Sequence, residues 1–290
     1  MRLFVFGLGY SAQALARLVL DAGGTVAGTV RTAPGVPVRG GVAAELFATD
    51  RPLADPRQAF AGVTHLLSSI PPDADGDPAW RAHAREIAAA RGTLQWIGYL
   101  STTGVYGDRG GNWVDEATLP APGSARSRQR LAAEAQWLLL GREIDVPAHV
   151  FRLPGIYGPG RSALDQVRSG NTRRIDKPGQ YFSRIHVEDI AATVLASIQR
   201  PRAGAIYNVA DDEPAPNAEV IAEACRLLDV PIPAAVPYEV AAPAMSEMAR
   251  SFWQENRRVR NERIKRELAV VLRYPTYREG LRGILAAERR

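Results

Sequence analysis

Three arginines occupy alternate positions in the segment SARSRQRLAAE, residues 124–134. Arg126 and Arg130 are four residues apart, so on a helix their side chains lie on one face, one turn apart. Like charges at that spacing repel each other by about 0.2–0.5 kcal/mol. Two guanidiniums on one face can hold a phosphate or a carboxylate between them, which would relieve that repulsion. The alternative is a solvated helix start that is simply rich in arginine.

A glycine turn is the second candidate for chemistry. The segment GLGYSA, residues 7–12, has the pattern G-x-G-x-x-A, follows the apolar run at residues 2–6 and opens a segment of helical spacing. Gly7 permits a tight turn, Gly9 lets the backbone approach a pyrophosphate, and Ala12 allows the helix to pack closely on the strand. The N–H groups of the helix start would bind the phosphates. The turn therefore predicts a dinucleotide site, the alternative being a purely structural turn.

The residues after the second predicted strand indicate which dinucleotide binds. NAD-preferring sites usually carry an acidic residue there, whereas this chain has Arg31 followed by Thr32. A guanidinium suits the 2′-phosphate of NADP(H) through paired, charge-assisted hydrogen bonds. We therefore expect NADP(H) to be preferred and NAD(H) to remain a second option, unless Arg31 is only an exposed loop residue. Asp50, after the predicted third strand, is a further candidate for the adenine amino group.

Short apolar runs alternate with helical patterns along the first half of the chain. Beyond the initial strand–turn–helix–strand unit, apolar runs lie at 63–70, 94–101 and 146–153, and helical patterns at 78–91 and 127–141. This alternation predicts an α/β fold with a doubly wound parallel sheet of the Rossmann type.

After residue 153 proline and glycine become frequent and the predicted elements shorter, with RIHVEDIAATVLASI read as a helix. This change of character predicts a second, smaller lobe. We expect a Rossmann domain at 1–155 to which 183–213 returns, and a small C-terminal substrate lobe made of 156–182 and 214–290.

Composition excludes several classes of function. The chain carries a formal charge of +5, but its 36 basic residues are spread out and no nucleic-acid-binding motif accompanies them, so nucleic acid is not an expected partner. No apolar run reaches the roughly 18–20 residues of a membrane span, so no membrane contact is expected. A lone cysteine, Cys225, excludes an internal disulfide and fits a cytoplasmic protein. His65, His83 and His149 lie in separate elements without ligand spacing, so no metal site is expected.

Several motifs occur in a recognisable order along the chain. GLGYSA is followed by STTGVYGD at 101–108, LAAE at 131–134, RLPGIYGPG at 152–160, RIHVEDIA at 184–191 and YNVADDEP at 207–214. Together they resemble the extended short-chain dehydrogenase/reductase family of the NAD(P)-dependent epimerase/dehydratase type, and most of all its atypical, YeeZ-like branch. The resemblance spans nearly the whole chain and implies a Rossmann domain with a small C-terminal substrate lobe.

The resemblance also implies that the arginine pair occupies the positions of the family's catalytic tyrosine and lysine. Family members use a Ser or Thr before VYG, which is Thr102 here, and a Tyr-x-x-x-Lys pair on the next helix. Aligned from LAAE, that tyrosine falls on Arg126 and that lysine on Arg130, and none of the nine tyrosines has a lysine four residues later. Arginine stays protonated, so Arg126 cannot be a general acid or base. It can bind the substrate or stabilise negative charge, and Arg130 can still bond the nicotinamide ribose.

The resemblance leaves the proton donor open. Tyr106 and Tyr157, in the VYG and IYG loops, are candidates, and His186 is expected to bond backbone. We further expect Tyr157 and Arg184 to bind substrate together with Arg126, with Arg173, Arg174 and Lys177 as additional anion-binding candidates. The remaining cofactor candidates implied by the fold are Tyr10, Ser11, Ser68, Ser69, Ile70 and Pro154.

These observations lead to one functional hypothesis and one alternative. The chain is predicted to be an NADP(H)-binding oxidoreductase or epimerase-like protein that acts on a small anionic substrate such as a nucleotide sugar. The alternative is a catalytically inactive NADP(H) sensor or regulatory protein. We expect a monomer or a homodimer.

Overall fold

The computed structural model describes residues 1–31, 42–48, 50–170 and 172–289. Its strands are β1 (Arg2–Phe6), β2 (Thr25–Val30), β3 (Ala43–Leu46), β4 (His65–Ser68), β5 (Trp96–Thr102), β6 (Trp113–Val114), β7 (Ala148–Leu153), β8 (Gly155–Tyr157), β9 (Ile175–Asp176), β10 (Arg184–His186), β11 (Ala205–Asn208), β12 (Val236–Pro237) and β13 (Arg258–Val259). Its helices are α1 (Tyr10–Asp21), α2 (Pro56–Phe60), α3 (Pro78–Ala89), α4 (Ala125–Glu143), α5 (Ala163–Arg168), α6 (Val187–Gln199), α7 (Asn217–Leu227), α8 (Tyr238–Ala241), α9 (Glu247–Gln254), α10 (Glu262–Leu268) and α11 (Tyr277–Glu288), with short 3₁₀ turns at Thr103–Tyr106 and Ala242–Ala244.

Seven of these strands form one parallel sheet in the order β11-β7-β5-β4-β1-β2-β3. In the centre, Val5 of β1 pairs with Gly28 of β2 on one side and with Leu67 of β4 on the other. The chain moves outward from β1 in both directions, so the order reverses between β1 and β4, where doubly wound sheets bind ligands at the carboxyl ends of their strands. The predicted α/β, doubly wound parallel fold is confirmed.

Helices cover both faces of this sheet, which explains why its strands read as continuous apolar runs. On one face, Leu15 of α1 and Val194 of α6 belong to the same buried cluster. On the other face, Ile87 of α3 and Trp137 of α4 pack with Phe4 of β1. The two layers fix α1 and α4 on opposite faces, with their N-termini available at the edge where the strands end.

One predicted helix begins later than its sequence pattern indicates. The first residues of RIHVEDIA form β10, and α6 starts only at Val187. Strand β10 pairs with β8 in parallel, with Ile185 opposite Ile156. This partner is distant in sequence, so a helical pattern alone could not reveal it. His186 ends the strand and caps the helix, because its Nδ1 accepts a hydrogen bond from the Glu188 N–H at 3.2 Å.

A second lobe is built from α5, α7 and α11. Leu164, Ile221, Cys225 and Leu281 form its buried cluster, so the single cysteine is a core residue there. The segment between α7 and α11 does not belong to this cluster alone, since Ile264 and Leu268 of α10 pack in the cluster that covers one face of the central sheet. The sequence-based division into 1–155 with 183–213, and 156–182 with 214–290, stays a prediction.

Candidate active site

The glycine turn lies where β1 ends at the switch point. Gly7 has a φ of +87°, and a Cβ there would stand 2.6 Å from Ile70 Cγ2, so only glycine fits. The Gly7 N–H donates to Thr29 Oγ1 at 2.8 Å, and the Ser69 hydroxyl donates to the Gly7 carbonyl at 2.5 Å. The turn is therefore held by strand β2 on one side and by the loop that follows β4 on the other.

Gly9 presents an open approach to the start of α1. Within the described part of the chain, a Cβ at Gly9 would have nothing within 4 Å, and no side chain caps the helix that begins at Tyr10. The first-turn N–H groups, those of Tyr10, Ser11 and Ala12, have no acceptor within the helix by construction. Ala12 itself is buried against the core. An uncapped helix start beside an open glycine fits the pyrophosphate of a dinucleotide.

The other cofactor candidates are placed around the same edge. Arg31 is exposed directly after β2, and Asp50 is exposed after β3. Thr32 lies outside the described residues. Ser68 is fully buried, and its hydroxyl oxygen has no hydrogen-bond partner among the described residues.

A cleft of about 860 Å³ opens between the carboxyl ends of the central strands and the second lobe. Thr102 at the end of β5 and Pro154 after β7 line its floor. Arg126 and Arg130 on the first turns of α4 both line it as well. The helix spacing of the two arginines thus places both guanidiniums toward one cleft.

Arg130 is anchored to the floor of this cleft. Its Nη1 donates to the carbonyl oxygens of Ile70 at 3.2 Å and Leu100 at 2.9 Å, and lies 3.0 Å from the phenol oxygen of Tyr99. No hydrogen bond of its Nε or Nη2 is recorded among residues 1–31, 42–48, 50–170 and 172–289. One edge of the guanidinium is therefore used by the protein and the other can serve a bound ligand.

Arg126 is exposed at the start of α4. The helix is capped by Ser124, whose hydroxyl accepts from the Ser127 N–H at 3.1 Å. No carboxylate lies within 4 Å of the Arg126 guanidinium in the part of the chain that the structure describes. Its charge is therefore not neutralised by the protein and faces the cleft.

Arginine dominates the lining of the cleft. Six guanidiniums of the described residues line it, from Arg126, Arg130, Arg161, Arg173, Arg184 and Arg257. Among the described lining residues only Glu255 is a carboxylate, and it is paired with Arg257 at 2.6 Å. This excess of fixed positive charge favours an anion in the cleft.

Two tyrosines proposed as proton donors do not reach this cleft. Tyr106 is completely buried, its hydroxyl donates to Asn208 Oδ1 at 2.8 Å, and burial raises its pKa. Tyr157 is buried in the second lobe, where its hydroxyl donates to the Thr276 carbonyl at 3.4 Å, and burial raises its pKa as well. Both side chains pack in the interior.

The remaining basic candidates divide into two groups. Arg173 and Arg184 line the cleft, although Arg184 Nη1 also donates to the Phe182 and Ala215 carbonyls. Arg174 donates to the Ala218 carbonyl and Lys177 to the Trp253 carbonyl, so these two hold the backbone of the second lobe.

Sequence reasoning missed a buried polar network beneath the cleft. Arg152 Nη2 donates to Glu134 Oε2 at 2.7 Å, and the Ser101 hydroxyl donates to Glu134 Oε1 at 2.5 Å. The Arg152 guanidinium also lies 4.8 Å from the centre of the Tyr106 ring. The only sequence signal was the acidic residue that ends LAAE. This network connects β5, α4 and β7, and its Ser101 immediately precedes Thr102 in β5.

No grouping of histidine, cysteine and acidic side chains suited to a metal ion occurs within the described ranges. No helix among those described is long and apolar enough to cross a membrane.

Comparison with known proteins identifies the chain's relatives. The family model described as the NAD dependent epimerase/dehydratase family matches residues 84–210. Protein YeeZ of Escherichia coli strain K12 is 28% identical over 218 residues, which cover 71% of this chain and 76% of YeeZ. A 3-diazoavenalumate denitrifying reductase of a Streptomyces species is 26% identical over 238 residues, covering 78% of this chain and 73% of the reductase.

Two solved structures extend the likeness to the whole chain. A functionally unknown conserved protein from Silicibacter pomeroyi is 47% identical with a TM-score of 0.89, covering 100% of this chain and 99% of that one. An NAD-dependent epimerase/dehydratase candidate from Methylobacillus flagellatus is 25% identical with a TM-score of 0.76, again covering 100% and 99%. Residues 84–210 thus match the NAD dependent epimerase/dehydratase family, and the chain is a homologue of YeeZ whose fold is shared with solved structures of the epimerase/dehydratase type.

Proposed function

We propose that the protein is an NADP(H)-dependent oxidoreductase or epimerase-like enzyme that acts on a small anionic substrate. One observation carries this proposal: Arg126 and Arg130 line the same cleft as Thr102, at the carboxyl edge of a doubly wound sheet. The name of the Streptomyces relative, a reductase, supports hydride-transfer chemistry on this framework.

The residues present fit a dinucleotide. Gly7, Gly9 and the uncapped start of α1 would hold its pyrophosphate, and Arg31 would hold a 2′-phosphate. Ser68, whose buried hydroxyl lacks a partner among the described residues, and Pro154 would lie along the nicotinamide half with Arg130. When bound, the nicotinamide would accept or supply a hydride.

The protein's own groups would orient the substrate. Arg126 would hold the substrate anion, since its guanidinium faces the cleft without a carboxylate partner in the described chain. The Thr102 hydroxyl, whose oxygen accepts from the Gly104 N–H at 3.1 Å, would donate a hydrogen bond to a substrate oxygen. The arginines would stabilise negative charge that develops on that oxygen.

Binding and turnover measured together test this proposal. Purified protein is titrated with NADPH and NADH by fluorescence, and NADPH oxidation is then followed with a panel of carbonyl acids and nucleotide sugars. Arg126→Ala should leave dinucleotide affinity nearly unchanged. It should weaken binding of the substrate that is turned over about tenfold to a hundredfold, because one charge-assisted pair is lost. Arg128→Ala, an exposed arginine on the same helix that does not line the cleft, is the matched control.

Because arginine stands where the resemblance implies a catalytic tyrosine, a regulatory protein without catalysis is the second candidate function. Dinucleotide binding without turnover of any panel member would favour a protein that senses the NADPH/NADP ratio. Absence of dinucleotide binding would contradict both functions.

A further inference from the structure

A tied-down strap contributes four lining residues to the cleft. We use this name for residues 253–259, which run from the end of α9 through β13. The Trp253 carbonyl accepts a hydrogen bond from Lys177 Nζ at 2.5 Å, and the Glu255 carbonyl accepts one from Gln180 Nε2 at 2.9 Å. The strap is therefore fixed to the loop that precedes β10.

Asn256 fixes the strap to a second loop as well. Its N–H donates to Asp108 Oδ1 at 2.8 Å, and its carbonyl accepts from the N–H groups of Arg109 and Gly111 at 2.9 and 3.0 Å. Its side-chain Nδ2 donates to the Gly179 carbonyl at 2.7 Å. Three chain segments thus meet at one residue, and the neighbours of Asn256 cannot move independently of them.

The residues on either side of Asn256 both line the cleft. The backbone at Glu255 is extended, so the side chains of Glu255 and Arg257, two residues apart, lie on the same side of the strap and both line the cleft. Arg257 Nη1 donates to Glu255 Oε2 at 2.6 Å and to the Gly107 carbonyl at 2.8 Å. The carboxylate is therefore held in one orientation by a guanidinium that is itself fixed to backbone.

The other carboxylate oxygen lies at the start of α4. A Cβ on Gly123 would stand 3.4 Å from Glu255 Oε1, and Gly123 immediately precedes the helix cap Ser124. The following turn carries Arg126, at the position where family members have their catalytic tyrosine. Within the described residues, Glu255 is the one carboxylate lining a cleft whose other ionised groups are arginines.

We propose that Glu255 is the proton-transfer residue of this cleft, in place of the missing tyrosine. The inference rests on the proposed function. In the oxidising direction the proton of the substrate O–H would go to the Glu255 carboxylate as the C=O bond forms, and a bound dinucleotide would supply the acceptor for the hydride that leaves the same carbon. In the reducing direction the protonated Glu255 returns that proton to the carbonyl oxygen.

The charged groups around Glu255 are consistent with this role. Arg257 faces it from the strap, Arg126 and Arg128 lie on the first turns of α4, and Asp108 lies on the loop to which Asn256 is bonded. Tyr181 is the competing candidate, because it is the phenol that lines the cleft among the described residues. Its ring, however, packs 5.1 Å from the Arg258 guanidinium, and Arg258 does not line the cleft.

Sulfate affinity at saturating NADP⁺ tests whether the carboxylate faces the ligand. Glu255→Gln removes a like charge and should tighten sulfate binding about three- to tenfold, measured by calorimetry. Glu262→Gln is the matched control, since Glu262 is an exposed carboxylate paired with Arg260 away from the cleft. Equal sulfate affinities in Glu255→Gln, Glu262→Gln and the wild type would overturn the proposal.

Turnover with the substrate found in the panel tests the proton transfer itself. Glu255→Gln should lower kcat by about 10²–10⁴-fold with NADP⁺ affinity unchanged, and Glu255→Asp should restore part of it. If Tyr181→Phe lost the turnover rate and Glu255→Gln kept it, Tyr181 would be the proton-transfer residue and the proposal would be overturned. Failure of the proposed function would look different, because the wild type would then bind no dinucleotide or turn over no member of the panel.

Discussion

Arg130 donates a hydrogen bond from Nη1 to the Leu100 carbonyl, 2.9 Å away, and thereby joins α4 to the end of β5. The same nitrogen bonds the Ile70 carbonyl, so one guanidinium spans the ends of two central strands at the switch point. Arg130, which the resemblance places where family members have a lysine, is thus part of the frame of the site, and we propose it as a ligand for the ribose.

Replacing Arg130 should affect both roles. Arg130→Ala is expected to weaken dinucleotide binding by about 1 kcal/mol, the loss of one ribose hydrogen bond, and to lower the free energy of unfolding by about 1–3 kcal/mol because strand-end carbonyls lose their donor. Fluorescence titration and urea denaturation measure the two effects. Arg130→Lys should keep most of the affinity. An unchanged affinity in Arg130→Ala would show that Arg130 does not contact the cofactor.

Arg31 should decide between the two dinucleotides. Arg31→Ala removes charge-assisted hydrogen bonds of about 1.5–3 kcal/mol, so NADPH should bind about ten- to a hundredfold more weakly while NADH hardly changes. Titrations with both cofactors measure the ratio. Arg51→Ala, an exposed arginine beyond β3, is a suitable control. Equal losses for NADPH and NADH would mean that Arg31 does not bind the 2′-phosphate.

The buried pair of Glu134 and Arg152 should behave as a structural unit. Both side chains are 3% exposed, and their nearest atoms are 2.7 Å apart. Glu134→Gln leaves the Arg152 charge without its partner and should destabilise the fold by about 3–5 kcal/mol. Arg152→Met should cost a similar amount, and the double variant less than the sum. Urea denaturation of the four proteins gives the coupling, and full additivity would exclude a direct interaction.

His149 should make stability fall in mild acid. It is buried, its Nε2 accepts from the Arg202 N–H at 2.8 Å, and burial lowers its pKa to about 4. The unfolded chain takes up this proton near pH 6.5, whereas the folded chain resists it. The contribution of neutral His149 to the free energy of unfolding is therefore complete above about pH 6.5. It is lost as pH falls toward about 4, by up to about 1.4 kcal/mol for each pH unit.

The matched variant isolates this effect. His149→Gln keeps an acceptor for the Arg202 N–H but cannot titrate. Its free energy of unfolding, measured by urea denaturation between about pH 7 and pH 5, should change less steeply than that of the wild type. Identical slopes would show that His149 does not contribute to the acid sensitivity.

The sequence by itself determined the features that depend on neighbours along the chain. Gly7 and Gly9 belong to a turn whose function follows from local backbone conformation, and the alternation of apolar runs with helical patterns follows from burial of both sheet faces. The same holds for Arg126 and Arg130, because a spacing of four residues on a helix puts two side chains on one face.

Tertiary structure alone decided which side chains share the cleft. Tyr106 and Glu255 illustrate this: the first has a promising motif but is buried against Asn208, and the second has no motif but lines the cleft. Their positions depend on hydrogen bonds between segments about a hundred or more residues apart, such as Asn256 with Asp108. Neither periodicity nor residue type records such contacts, because they form only when the strap, the loop after β5 and the second lobe pack together.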